Sequence, residues 1–213
     1  TAMADDVLLT TTGAGAFTIT DLMGNLDNAS AGPNSVTLLD NADGDYTITS
    51  STAITVNNGT AQATDDITLA GAGNKTVTGL AADLILAATN VGTTNVTSMA
   101  GNGLSINANA AAGNLTVDAA SLLNDAVLTL LGGDNGKTAA VNNLVGDVVA
   151  TTLASVLTVD LADNTTGDSD ISITTGTFTT SVLDSAAGDT VSVIATAMAD
   201  DVLLTTTGAG AFT

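Results

Sequence analysis

The first eighteen residues, Thr1 to Thr18, return letter for letter as Thr196 to Thr213. Two identical segments 195 positions apart make residue n equivalent to residue n + 195. Residues 1–195 therefore read as one period of a tandem array, and residues 196–213 as the start of the next. This limits the folds open to the chain, because each period has to join its successor at the place where it joined its predecessor. The expectation is a protein that extends well beyond a single period.

Charge narrows the choice further. All twenty-two acidic residues are Asp, the only cations are Lys75 and Lys137, and His, Cys, Trp, Arg and Glu are missing. One period carries twenty Asp against two Lys, a charge of −18. Charge that accumulates with every copy repels itself, which favours spreading it along an extended rod or neutralising it with bound cations. The same balance argues against nucleic acid and anionic membrane surfaces as partners, since both call for Lys and Arg. Hydrophobic residues are 45% of the chain but aromatics only 2%, which suits a thin core of stacked aliphatic layers. A mean hydropathy of +0.41, with abundant Val, Ile and Thr, favours β structure over disorder. A chain without cysteine does not rely on disulfides, and this suits a bacterial extracellular setting. No signal peptide, lipidation motif or apolar run of membrane-spanning length is read in it.

Short apolar clusters recur about every ten residues, the interval of short strands separated by turns. Examples are Val36-Thr37-Leu38, Tyr46-Thr47-Ile48, Ile67-Thr68-Leu69, Leu115-Thr116-Val117, Leu157-Thr158-Val159 and Ile171-Ser172-Ile173. Apolar-Thr-apolar triplets turn one face inward and leave Thr outside. Gly, Asn and Asp lie between them, as at Asn57-Asn58-Gly59 and Gly132 to Gly136, and these residues favour turns.

A weaker repetition lies inside the period. Similar strand starts at Asp5, Asp65, Asn124 and Asp200 divide it into sub-units 5–64, 65–123 and 124–199, with intervals of 60, 59 and 76. Leu22 to Asp27 resembles Leu144 to Val148, and Leu39 to Thr49 resembles Ala162 to Thr174. The last interval is longer by roughly two strand-and-turn segments, an insertion that a solenoid accepts without disturbing its neighbours. The fold expected is all-β: a parallel β-solenoid, or β-helix, continuous through the repeats, with two strands in a coil of about 20 residues or three faces in a coil of ~30. The alternative is a string of antiparallel β-sandwiches. Sixty residues are few for a sandwich, and Pro33 is the only proline, so no Pro-rich linker separates the units.

The Asp loops carry the chemistry. Asp40, Asp43 and Asp45 in one unit, and Asp163, Asp168 and Asp170 in the related one, place several hard oxygen ligands within a turn. Structural calcium takes such ligands and would offset the self-repulsion; the plain alternative is a set of solvated turn residues. Sequons at Asn28, Asn58, Asn74, Asn95, Asn114 and Asn164 are about as frequent as the composition alone would give. Asn and Thr are also suited to ladders that hydrogen-bond along the rod. Lys75 and Lys137 sit in Gly-rich loops and are expected to pair with neighbouring Asp. Polysaccharide-cleaving β-helices need carboxylates with basic partners and aromatic platforms; with no His, Arg or Trp and one Tyr, no enzyme activity is expected.

Phrases such as Ile171-Ser172-Ile173-Thr174-Thr175-Gly176 and Asn25-Leu26-Asp27-Asn28-Ala29-Ser30 join the acidic charge, the lack of Cys and the identical long repeats. Together they resemble the repeat regions of giant secreted surface proteins of Gram-negative bacteria, including type I-secreted adhesins of the RTX kind and S-layer or matrix proteins. The resemblance implies an extracellular location, calcium-assisted folding after export and a role in extension, coating or biofilm matrix. The expected function is the structural repeat of an extracellular filament, sheath or stalk-like adhesin, associating with copies of itself end to end and laterally. A module that binds glycans or a partner through loops on one solenoid face is the alternative.

Overall fold

The structure, a computed structural model, describes residues 7–40, 44–62, 64–109, 113–162, 170–185 and 189–213. Its strands are β1 (Leu8–Gly13), β2 (Thr18–Leu22), β3 (Asn25–Ser30), β4 (Asn34–Leu38), β5 (Asp45–Ser50), β6 (Ile54–Asn57) and β7 (Asp66–Ala70). There follow β8 (Lys75–Thr78), β9 (Asp83–Leu86), β10 (Thr94–Val96), β11 (Leu104–Asn107), β12 (Leu115–Asp118), β13 (Val127–Leu131) and β14 (Thr138–Leu144). The last are β15 (Asp147–Val149), β16 (Val156–Leu161), β17 (Asp170–Thr174), β18 (Thr180–Asp184), β19 (Thr190–Ile194), β20 (Leu204–Gly208) and β21 (Ala211–Phe212).

Every odd-numbered strand lies in one sheet and every even-numbered strand in the other, each strand flanked by those two before and two after it. All named strand pairs are parallel. The chain is thus a parallel β-solenoid, as expected, and not a row of antiparallel sandwiches; its turns hold two strands, not three. A parallel pair needs a crossover, and here the opposite sheet supplies it.

Alternation along each strand builds the core between the sheets. The middle of the even sheet is the most regular part. Its inward position reads Ile19, Val36, Val56, Val77, Val96, Val117, Val141, Val159 and Val182 in successive strands. Each of the eight valines is at most 2% exposed. A β-branched side chain has one favoured rotamer, so the same residue at each level stacks on itself without a change of shape. Burying each contributes roughly 1.5–3 kcal/mol. The odd sheet stacks Leu26, Ile48, Leu69 and Leu86, then Leu104, Leu128, Val148 and Ile173.

A local signature recurs every three turns. Asp21, Gly79 and Asn143 all have positive φ, and each precedes a buried leucine, Leu22, Leu80 or Leu144. At Leu22 and Leu144 the pairing with the next strand slips by one residue, as in a β-bulge. Asp, Asn and Gly are the residues that enter this region at least cost. The similarity of Leu22–Asp27 to Leu144–Val148 marks this bulge, and Leu80–Asp83 is its third member.

Two sequence expectations change. The sub-units begin at β1, β7, β13 and β20, so the third holds one additional strand where its length suggested two. Lys75 does not pair with an Asp: it is fully buried at the start of β8, and its Nζ donates to the carbonyls of Ser50 and Gly71. It sits at an inward-facing position, so its stem fills the core and the ammonium reaches backbone oxygens at the corner.

Candidate functional site

Functional chemistry in a solenoid is carried on its outward columns, and the two sheets display different ones. On the odd sheet, Asp45, Asp66 and Asp83 stand side by side at the first positions of β5, β7 and β9. Adjacent strands are about 4.8 Å apart, so three carboxylates share one short column. Desolvation, with the charges of Asp45, Asp83 and Asp65, pushes the Asp66 carboxyl above the usual carboxylate range. Asp65 is buried, and its Oδ2 accepts from the backbone N–H of Gln62 at 2.6 Å.

The column also has a backbone role. Asp83 Oδ1 accepts from the N–H of Ser105 in the next turn at 2.7 Å, as Asn25 Oδ1 does from Thr47 and Asp147 Oδ1 from Ser172. These three acceptors follow the three left-handed residues by four positions, so they recur with the same three-turn rhythm. Asp or Asn at this position receives an amide N–H at a strand start and ties one turn to the next.

The residues proposed to hold calcium are distributed as follows. Asp40 is exposed just after β4, and its backbone N–H donates to Thr60 Oγ1. Asp45 opens β5 and belongs to the acidic column. Asp170 opens β17, beside Asp147, Ser172 and Thr190, in a shallow groove of about 300 Å³. Asp43, Asp163 and Asp168 lie outside the described residues. Among the described residues no three carboxylates form a group able to hold a metal ion.

On the even sheet the outward column beside the valines reads Thr18, Ser35, Thr55, Thr76, Asn95, Thr116, Ala140, Thr158, Ser181 and Thr205. It is a file of hydroxyls and methyls, with the carboxamide of Asn95 among them, one residue per turn and no charge. The regular Thr triplets made this column legible in the sequence. The acidic column was not, because Asp45, Asp66 and Asp83 are far apart in the chain and only the register of the turns unites them.

The corner between the odd strands and the even strands that follow them is polar inside. Asn28, 1% exposed, donates to Ser50 Oγ at 2.8 Å and Thr52 Oγ1 at 3.1 Å, while its Oδ1 accepts from Thr11 Oγ1 at 2.9 Å. Asn34 donates to the Ser30 carbonyl and to Thr52 Oγ1. This is the hydrogen-bonded Asn and Thr ladder expected along the rod. Lys75 extends it by one more turn, and burial draws its pKa down to about 8. Of the sequons, Asn28 and Asn58 are buried, which closes them to glycans in the folded chain. No helix among the described residues is long and apolar enough to cross a membrane.

Compared with protein-family models, with curated proteins and with solved structures, the chain matches none.

Proposed function

We propose that this chain is the structural repeat of an extracellular bacterial filament, sheath or giant surface adhesin, acting as a stiff acidic rod that extends from or coats a cell. The observation that carries the reading is the unbroken parallel ladder, which runs the length of both sheets and leaves unpaired strand edges only at the two ends. In a tandem array each such end meets the next period, so edge strands appear only at the termini of the whole protein. Aspartates outside keep rods soluble, and hydroxyls outside avoid sticky apolar patches. Stiffness comes from aliphatic layers stacked turn upon turn.

Imaging the purified multi-repeat chain tests this. Rods of constant width, lengthening in proportion to the number of periods, are expected; globules joined by flexible linkers would overturn the reading. The uncharged hydroxyl column of the even sheet favours a second reading, a surface that recognises glycans. Tight, saturable binding of cell-surface polysaccharide, lost on replacing Thr55, Thr76 and Thr116 by Asp, would establish it instead.

A further inference from the structure

We infer that successive periods of the array are related by half a turn about the rod axis, so that every surface feature of one period reappears on the opposite face in the next. This rests on reading residues 1–195 as one period of a tandem array. The copied segment occurs at both ends of the stack, in different surroundings. In its first copy the strand is β1, in the odd sheet, with Leu9 opposite Leu26 and Gly13 opposite Ser30 of β3. In its second copy the same letters form β20, in the even sheet, with Leu204 opposite Thr180 and Gly208 opposite Asp184 of β18. The next strand also changes sides: the chain enters the even sheet after β1 and the odd sheet after β20. Nineteen strands separate the two copies, which at two strands per turn is nine and a half turns.

Two observations indicate that these two edges belong to one interior strand. The first is facing. The partners of Leu9 and Thr11 in β3, Leu26 and Asn28, are buried, and so are the partners of Leu204 and Thr206 in β18, Thr180 and Val182. The same residues therefore turn inward in both copies, and joining β18 to β3 through this strand preserves the alternation. The second is a glycine whose reason lies in the other copy. A Cβ on Gly210 would collide with the carboxylate of Asp184, yet one on its equivalent, Gly15, meets nothing. Gly15 also lacks a positive φ that would demand glycine. In the array the carboxylate of Asp184 in the preceding period occupies the space beside it.

The half turn has an identifiable origin. The first two sub-units hold six strands each, and the third, β13 to β19, holds seven. The odd strand moves everything after it to the other sheet. The Asp45–Asp66–Asp83 column then faces alternate sides at intervals of roughly 45 Å, from ~4.8 Å per turn. A lateral contact made by any one face is thereby offered on both sides of the rod, which suits association into layers of copies rather than isolated pairs.

The test uses a chain of several consecutive periods carrying Thr116→Cys, the sole cysteine of each period, labelled with maleimide-gold and imaged by cryo-electron microscopy. Ser35→Cys, on the same outward column, serves if the first variant folds poorly. Labels alternating between opposite sides at roughly 45 Å steps are expected. A double variant, Thr55→Cys with Thr158→Cys, places two labels on one column five turns apart and measures the twist to be subtracted. Evenly spaced labels along a single side would overturn the half turn and leave the rod intact; irregular spacing on separate globules would overturn the array reading as well.

Discussion

Across the even sheet, valine lies beneath threonine, serine or asparagine in strand after strand, while across the odd sheet the inward and outward residues change every few turns. The odd sheet holds the acidic column, the buried Asn28 and the side-chain acceptors that close the N–H groups of Thr47, Ser105 and Ser172. Both sheets obey one ladder geometry, so the difference lies in what the side chains do. A column of identical β-branched residues stabilises by packing alone and tolerates no polarity. A column of carboxylates is held at strand starts, where solvent and backbone amides receive the charge, and it costs the fold some self-repulsion. Regularity thus marks the valine column of the even sheet, which packs the rod together, while the odd sheet positions the acidic column.

The contrast breaks most visibly at neighbouring residues of β12. Val117→Asp places an unpaired carboxylate in the valine ladder and is expected to cost about 4 kcal/mol or more, whereas Thr116→Asp, facing outward, costs about 1 kcal/mol or less. Urea denaturation of the two variants decides it, and equal losses would mean that the ladder is not the stabilising element. A smaller effect comes from Lys75. Folded, it gives up its proton near pH 8; unfolded, it keeps it to about 10.5, so the unfolded chain binds more protons between those values. Stability should therefore rise from pH 8 to 10.5, by at most about 3 kcal/mol, and Lys75→Met should abolish the rise. A flat profile in the parent chain would show that the corner solvates the ammonium fully.

The smallest effect belongs to the acidic column. Because the Asp66 carboxyl is pushed up in the folded chain, it favours the fold only in acid, and that contribution is lost as the pH rises through its folded pKa. Asp66→Asn should raise the melting temperature at pH 7 by the order of a degree, with the gain disappearing in acid. Calcium and magnesium should stabilise the parent chain alike, by screening. A shift given by micromolar calcium alone, and reversed by a chelator, would assign a specific site to the loops holding Asp40, Asp43, Asp163 and Asp168.

Much of this was legible in the letters. Triplets such as Leu115-Thr116-Val117 announce their strand because alternation and composition agree. Strands not announced include β14, β15 and β18, and those whose inward residues are polar or few: β3, which turns Asn28 and Ser30 inward; β8, which opens with Lys75; and β10, which turns in Thr94. A buried Asn or Lys reads as loop until the partners that satisfy it, Ser50 and Thr52 or the carbonyls of Ser50 and Gly71, are in place.

Residue order alone establishes that the chain repeats, that it is built of short β-strands around an aliphatic core, and that its surface is acidic. Those properties are local or additive, and each follows from residue type and spacing. Which aspartates share a column, where Lys75 finds its acceptors and on which sheet each copy of the repeated segment falls emerge with the folded stack. These depend on the register between turns and on whether the number of strands in a period is odd or even, and both are set by how corner lengths and bulges accumulate along the whole stack.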